Sequence, residues 1–257
     1  MADARGNGSI LVGIGGWDFD PWRGTFYPPG LRRADQLAYA ASRVTAIEIN
    51  ATFYKLQKPD LYARWAAAVP EEFRFALKGS RFCTNRKALG EAGEAVARFC
   101  GQGLVELGPR LGPILWQLAE TKRFDAEEME AFFALLPRVQ DGVPLRHAVE
   151  VRHESFADPA FAEIARRAGV AVAFVDEDGV PALDAPAPGL AYARLKRMSE
   201  AEPAGYSAAA LDRWAALARD WSAGGRDSFV FMIGGFKQRA PAAAEALLAR
   251  LRAAGVA

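Results

Sequence analysis

The stretch Val44-Thr45-Ala46-Ile47-Glu48-Ile49-Asn50-Ala51-Thr52-Phe53-Tyr54-Lys55-Leu56 decides how the rest of the chain reads. Val44 to Asn50 is rich in β-branched residues and predicts a strand. Successive side chains on a strand alternate faces, so Thr45, Ile47 and Ile49 share one face and Ala46, Glu48 and Asn50 the other. A charged group late in an otherwise apolar strand costs several kcal/mol unless it is paired or wetted. Glu48 and Asn50 therefore point to a polar site at the C-terminal ends of parallel strands.

Working outward, the same alternation of strand and helix recurs. Ile10 to Ile14 predicts the first strand. Gly13, Gly15 and Gly16 follow it, but Asp18 stands where a dinucleotide loop needs its third glycine, so a turn is expected rather than a phosphate cradle. Further strands are expected at 73–78, 114–118, 146–152, 170–175, 190–196 and 229–233. Helices are expected at 34–42, 60–68, 91–101, 125–136, 158–169, 207–223 and 241–253. Asp125 with Glu128 gives a capping-box pattern, and Asp158-Pro159 and Ser207 are further helix starts. Residues 178–189 are rich in Pro and Gly and lack a helical period, so the helix after strand six should be missing or shortened. Eight such units over 257 residues predict an α/β fold, a single (β/α)8 barrel of the TIM type, over residues 10–257, with residues 1–9 as a polar tail. An open doubly wound sheet is the alternative. The aromatic segment Asp18 to Leu31 is expected to plug the core, with a ligand platform as the alternative.

Composition narrows the class. The formal net charge of +1 gives no global basic field for nucleic acid. The two cysteines, Cys83 and Cys100, have neither metal-ligand spacing nor a disulfide-rich setting, which fits a reduced, cytoplasmic protein. No signal peptide and no membrane-spanning run are read from the sequence.

The expected strand ends carry Glu48, Asn50, Lys78, Gln117, Glu150, Arg152, His153, Asp176, Arg194 and Lys196. In barrels of this kind the site lies at that mouth. Glu48 and Glu150 form a candidate acid/base pair, since two carboxylates facing one opening can have their pKa values pushed apart. Lys78 becomes a base or amine nucleophile if desolvated. His153 lies just past a strand and joins the catalytic candidates, while His147 is expected away from the mouth. Arg152, Arg194 and Lys196 suit an anionic ligand; Asn50, Tyr54, Gln117 and Asp176 complete the candidate binding set. No cofactor is expected. A divalent metal on Glu48, Glu150 and Asp176 is the weaker case, because neighbouring cations would neutralise those carboxylates first.

These residues resemble the YecE-like proteins, a family classed as a domain of unknown function. The resemblance rests on Gly16-Trp17, Trp22-Arg23-Gly24, Phe26-Tyr27-Pro28, Glu48-Ile49-Asn50, Thr52-Phe53-Tyr54, Phe75-Ala76-Leu77-Lys78, Leu115-Trp116-Gln117, Glu150-Val151-Arg152-His153, Val175-Asp176 and Tyr192-Ala193-Arg194-Leu195. It implies a barrel and supplies no reaction. The family usually has a histidine and glycine after strand seven, where this chain has Lys196-Arg197. After strand eight it usually has paired asparagines and an aspartate, where this chain has Met232-Ile233-Gly234-Gly235-Phe236. The resemblance thus implies a changed substrate, or a scaffold that has lost activity.

The expected function is binding of a small anionic molecule, a phosphate or carboxylate, with carboxylate/lysine acid-base chemistry. Isomerase, lyase and hydrolase reactions all stay open. Two alternatives are a protein handling single-stranded nucleic acid and a non-catalytic ligand-binding or interaction barrel.

Overall fold

The computed structural model describes Gly6 and residues 8–256. The barrel strands, in chain order, are β1 (Ile10–Gly15), β2 (Ala46–Ile49), β3 (Arg74–Lys78), β4 (Leu111–Gln117), β5 (His147–Glu150), β6 in two halves (Val170–Val172 and Phe174–Asp176), β7 (Leu190–Leu195) and β8 (Asp227–Met232). Each pairs in parallel with its chain neighbours, and β1 pairs with β8. The two ends of the pairing order are the halves of β6: the first lies on β5 and the second on β7. The ring therefore passes through Ala173, whose N–H still donates to Val149 O at 2.8 Å. This is the TIM-type barrel, with one strand bent to close it.

Among the described residues, seven α-helices of eight residues or more cover the outside: α1 (Gln36–Arg43), α2 (Pro59–Ala67), α3 (Gly93–Cys100), α4 (Ala126–Ala134), α5 (Pro159–Ala168), α6 (Ala208–Ser222) and α7 (Ala240–Ala253). None follows β6; instead Val172 N donates to Ala185 O at 2.9 Å as the chain folds back. Helix starts follow local chemistry. The Asp158 and Ser207 side chains accept from Ala160 N and Ala210 N, and Asp125 accepts from Glu128 N at 2.8 Å. The expected capping box is only half made. The Glu128 carboxylate turns away to accept from Leu89 N and Lys122 Nζ, both at 2.8 Å, because an ion pair outbids the return bond to the backbone.

The two faces of each strand bury in different places. Ile47, Ile49, Phe75, Leu77, Ile114, Trp116 and Val149 pack outward under the helices. Ala46, Ala76, Ala148 and Ala171 face inward, with Leu115 beside Ala148, opposite Tyr192, Phe229 and Phe231. Small residues on one wall make room for large ones on the other, so the interior is filled rather than open.

The aromatic segment after β1 is a plug. Trp22 and Tyr27 are buried; Trp22 Nε1 donates to Lys237 O at 3.1 Å and Tyr27 OH to Trp17 O at 2.5 Å. No α-helix opens at the preceding glycines. Of the expected polar tail, residues 1–5 and 7 lie outside the described residues. Its last two residues are already tied to the barrel, since Ser228 N of β8 donates to Ser9 O and Gly8 N to Ser222 O at the end of α6. Among the described residues no helix is long and apolar enough to cross a membrane.

Candidate functional site

Above the apolar filling sits a layer of charge. On β7, Tyr192 and Arg194 face inward, one step apart on the same side. Arg194 lies between two carboxylates that are fully buried. Its Nε and Nη2 donate to Glu48 Oε2 and Oε1 at 3.1 and 3.0 Å, and its Nη1 donates to Glu150 Oε2. Tyr192 OH donates to Glu48 Oε2 at 2.7 Å. Gln117, the register partner of Glu150, donates to Glu150 Oε1 at 2.6 Å, and Lys196 Nζ donates to the same oxygen at 3.0 Å. Every oxygen of the two carboxylates is thus met by a donor.

The cations decide the protonation states. Burial alone would raise Glu150, but Arg194 and Lys196 outweigh it and hold its pKa at about 2. Burial would lower Arg194, and Glu150 and Glu48 more than reverse that. Burial and the Glu48 carboxylate both push Tyr192 up. Glu150 therefore stays ionised near neutral pH, with one of its oxygens on the Arg194 guanidinium.

Lys78 differs from its neighbours. It ends β3 at 9% exposure, and among the described residues no carboxylate lies within ion-pair distance of its Nζ. What its ammonium does meet is the Phe53 ring, 4.2 Å from the centroid. Thr52 Oγ1 donates to Lys78 O at 2.7 Å and fixes the backbone there. Burial first, then the Arg194 charge, lower its pKa to about 8, with Glu48 and Glu150 partly opposing.

The outer rim holds a second set of pairs. Lys196 Nζ and Arg152 Nη2 both donate to Glu177 Oε2, at 2.7 and 2.8 Å, and Arg152 Nη1 donates to Glu120. Arg152 Nε stands 3.9 Å from Glu150. Gly235, at φ 52°, packs so closely on the 196–198 segment that a Cβ there would lie 2.3 Å from Lys196 O. Gly235 thus lets the chain after β8 lie directly against the segment that carries Lys196 and Arg197.

Three of the expected residues stand apart. Asp176 shares its face of β6 with Phe174, which packs outward on Trp214 and Trp221. It accepts from Arg197 Nε at 2.7 Å and Tyr206 OH at 2.9 Å, outside the barrel, and its place at the mouth is taken by Glu177. That also separates the three carboxylates considered for a metal. Tyr54 is 63% exposed on the rim. His153 accepts from Ser155 N at 3.1 Å and caps the short turn Glu154–Ala157. Asn50 is half-buried, its Nδ2 donating to Glu48 O at 3.3 Å. His147 is structural: Trp116 Nε1 donates to its Nδ1 at 3.1 Å and its Nε2 donates to Pro137 O at 2.7 Å. Residue-type reading missed Glu177 and Glu120, which follow strand ends in loops; alternation from Ala171 and Ala173 was the signal that could have pointed to Glu177.

The family described as "Protein of unknown function DUF72" matches residues 11–257. The chain is 28% identical over 149 residues to the UPF0759 protein YecE of Escherichia coli (strain K12), covering 57% of this chain and 50% of that one. It is 26% identical over 161 residues to the UPF0759 protein YunF of Bacillus subtilis (strain 168), covering 60% and 54%. The chain thus spans about half the length of the curated relatives it matches. A crystal structure of a DUF72 family protein from Thermotoga maritima superposes with a TM-score of 0.74 at 23% identity, over 96% of this chain and 99% of that one. With a family match that runs from β1 past α7, the chain belongs to the DUF72 family.

Proposed function

We propose that the C-terminal mouth binds a small anionic molecule, a phosphate or carboxylate, and that Lys78 is the group that meets it. One observation carries this reading: Lys78 is a nearly buried amine with no carboxylate partner among the described residues, beside cations that all have one. An unpaired buried ammonium is costly, and an incoming anion would supply the missing counter-charge. Its pKa of about 8 also leaves part of it unprotonated near neutral pH, as a general base or amine nucleophile needs. Glu48 and Glu150 then act through Arg194, which they fix in place. The reaction class stays among isomerase, lyase and hydrolase chemistry.

A panel of phosphates, sugar phosphates and carboxylates in a thermal-shift assay tests it. A ligand at about 100 times its Kd adds about 2.7 kcal/mol, several degrees in a chain of this length. One anion class should shift the wild type and not Lys78→Met. An equal shift in both proteins would remove Lys78 from the site. A second reading, a barrel that binds without turnover, is favoured by the saturation of Arg194, Arg152 and Lys196 by the protein's own carboxylates.

A further inference from the structure

Two loops at the mouth carry charge that most of the surface neutralises. Residues 51–59, after β2, hold Lys55 and Lys58 and no carboxylate; residues 79–90, after β3, hold Arg81, Arg86 and Lys87 and no carboxylate. All five are exposed. Several exposed arginines elsewhere have acidic partners, as in Arg32–Asp35, Arg43–Glu245 and Arg167–Glu130. Among the described residues these five have none; Arg86 donates only to the carbonyls of Phe82 and Glu91. In a chain of net charge +1, five cations without an ion pair on the loops after two adjacent strands give a local excess of positive charge, with Glu91, Asp125, Glu127 and Glu128 around the depression that Arg86 and Lys87 line.

The same two loops hold the most exposed large aromatics of the chain, Tyr54 at 63% and Phe82 at 62%. Tyr54 stands edge-on to Phe53 with ring centroids 5.0 Å apart, and the Arg81 guanidinium lies 5.4 Å from the Phe82 ring. Each presents a free ring to solvent beside uncompensated cations. Rings beside unpaired cations suit a polyanion that also offers flat, stackable faces. A duplex hides its base faces, and a single nucleotide has too few phosphates for five cations.

We propose that this rim binds single-stranded nucleic acid, Tyr54 and Phe82 stacking bases while Lys55, Lys58, Arg81, Arg86 and Lys87 neutralise phosphates. The surface adjoins Lys78 through Phe53, whose ring meets the Lys78 ammonium on one side and Tyr54 on the other, and the proposal does not rest on the small-anion reading. Fluorescence anisotropy with labelled single-stranded DNA and RNA of about 16 nucleotides tests it, against a duplex and inorganic polyphosphate. Five phosphate contacts predict a loss in affinity on the order of 100-fold between about 50 and about 200 mM salt. A Tyr54→Ala/Phe82→Ala double variant should bind the single strand at least about tenfold more weakly and bind polyphosphate as the wild type does. Both positions are exposed, and an unchanged Tm verifies that the variant is folded. No binding at about 50 mM salt, equal affinity for duplex and single strand, or a double variant that binds the strand as the wild type does would each overturn the proposal.

Discussion

Protonated Lys78 gives up water on folding and receives little in return. Its pKa falls from 10.5 to about 8. The unfolded chain therefore holds the proton between pH 8 and 10.5 while the folded one has released it. Stability from this residue is lowest below pH 8 and rises as pH climbs through that window. The penalty near neutral pH is at most about 3 kcal/mol. Lys78→Met should raise stability at pH 7 and flatten the rise between pH 8 and 10.5, read by urea unfolding across pH. A variant with the wild-type pH profile would show that Lys78 is solvated. Arg194 is the opposite case. Replacing it with Met strands two fully buried carboxylates, and removing one partner of a buried pair costs about 3–5 kcal/mol. The same denaturation assay should report a loss of that size, partly restored by adding Glu48→Gln.

At the scale of elements, β4 and β5 are joined by more than their ladder. His147 accepts from Trp116 of β4 and donates to Pro137 O in the connection before β5. Burial lowers its pKa from 6.5 to about 4. The unfolded state binds the proton first as pH falls, so the stability His147 contributes is lost between pH 6.5 and 4. His147→Phe should lower stability at pH 7, because two buried partners lose their bonds at about 1–3 kcal/mol each, and should weaken the dependence on pH in that window. Acid titration of thermal stability for the two proteins measures both effects. Gly79, next after β3, shows how an element end is set by its neighbour. A Cβ there would lie 2.3 Å from the Trp116 ring, so Gly79→Ala should displace the indole and destabilise the protein, with a blue or red shift of tryptophan emission as its signature.

Over the whole molecule, the ring closes through the bent β6, and the segment after it has no helix to protect it. Asp178, Gly179, Ala182 and Asp184 are exposed there. A brief digestion with a broad-specificity protease should cut first within residues 178–186, leaving two fragments that stay associated through β6, β7 and their neighbours. First cleavage elsewhere, with this segment intact, would contradict that account of the barrel's weakest edge.

Much of this was legible in the chain itself. Alternating strands and helices specified the barrel, and the parity of Ala46-Ile47-Glu48 assigned inward and outward faces, because alternation is a local property of extended backbone. The Pro- and Gly-rich run at 178–189 likewise marked the missing helix before any contact was known. Position at a strand end was a weaker guide. It named Asp176, whose face belongs with Phe174, and passed over Glu177. The sequence by itself determined the architecture and the chemical types gathered at the mouth. Only the tertiary structure decided that Arg194 takes Glu48 and Glu150 for itself and leaves Lys78, among the described residues, without a carboxylate in ion-pair reach. Ion pairing depends on a few ångströms of separation across the closed barrel between residues far apart in sequence, and no local pattern in the chain encodes those distances.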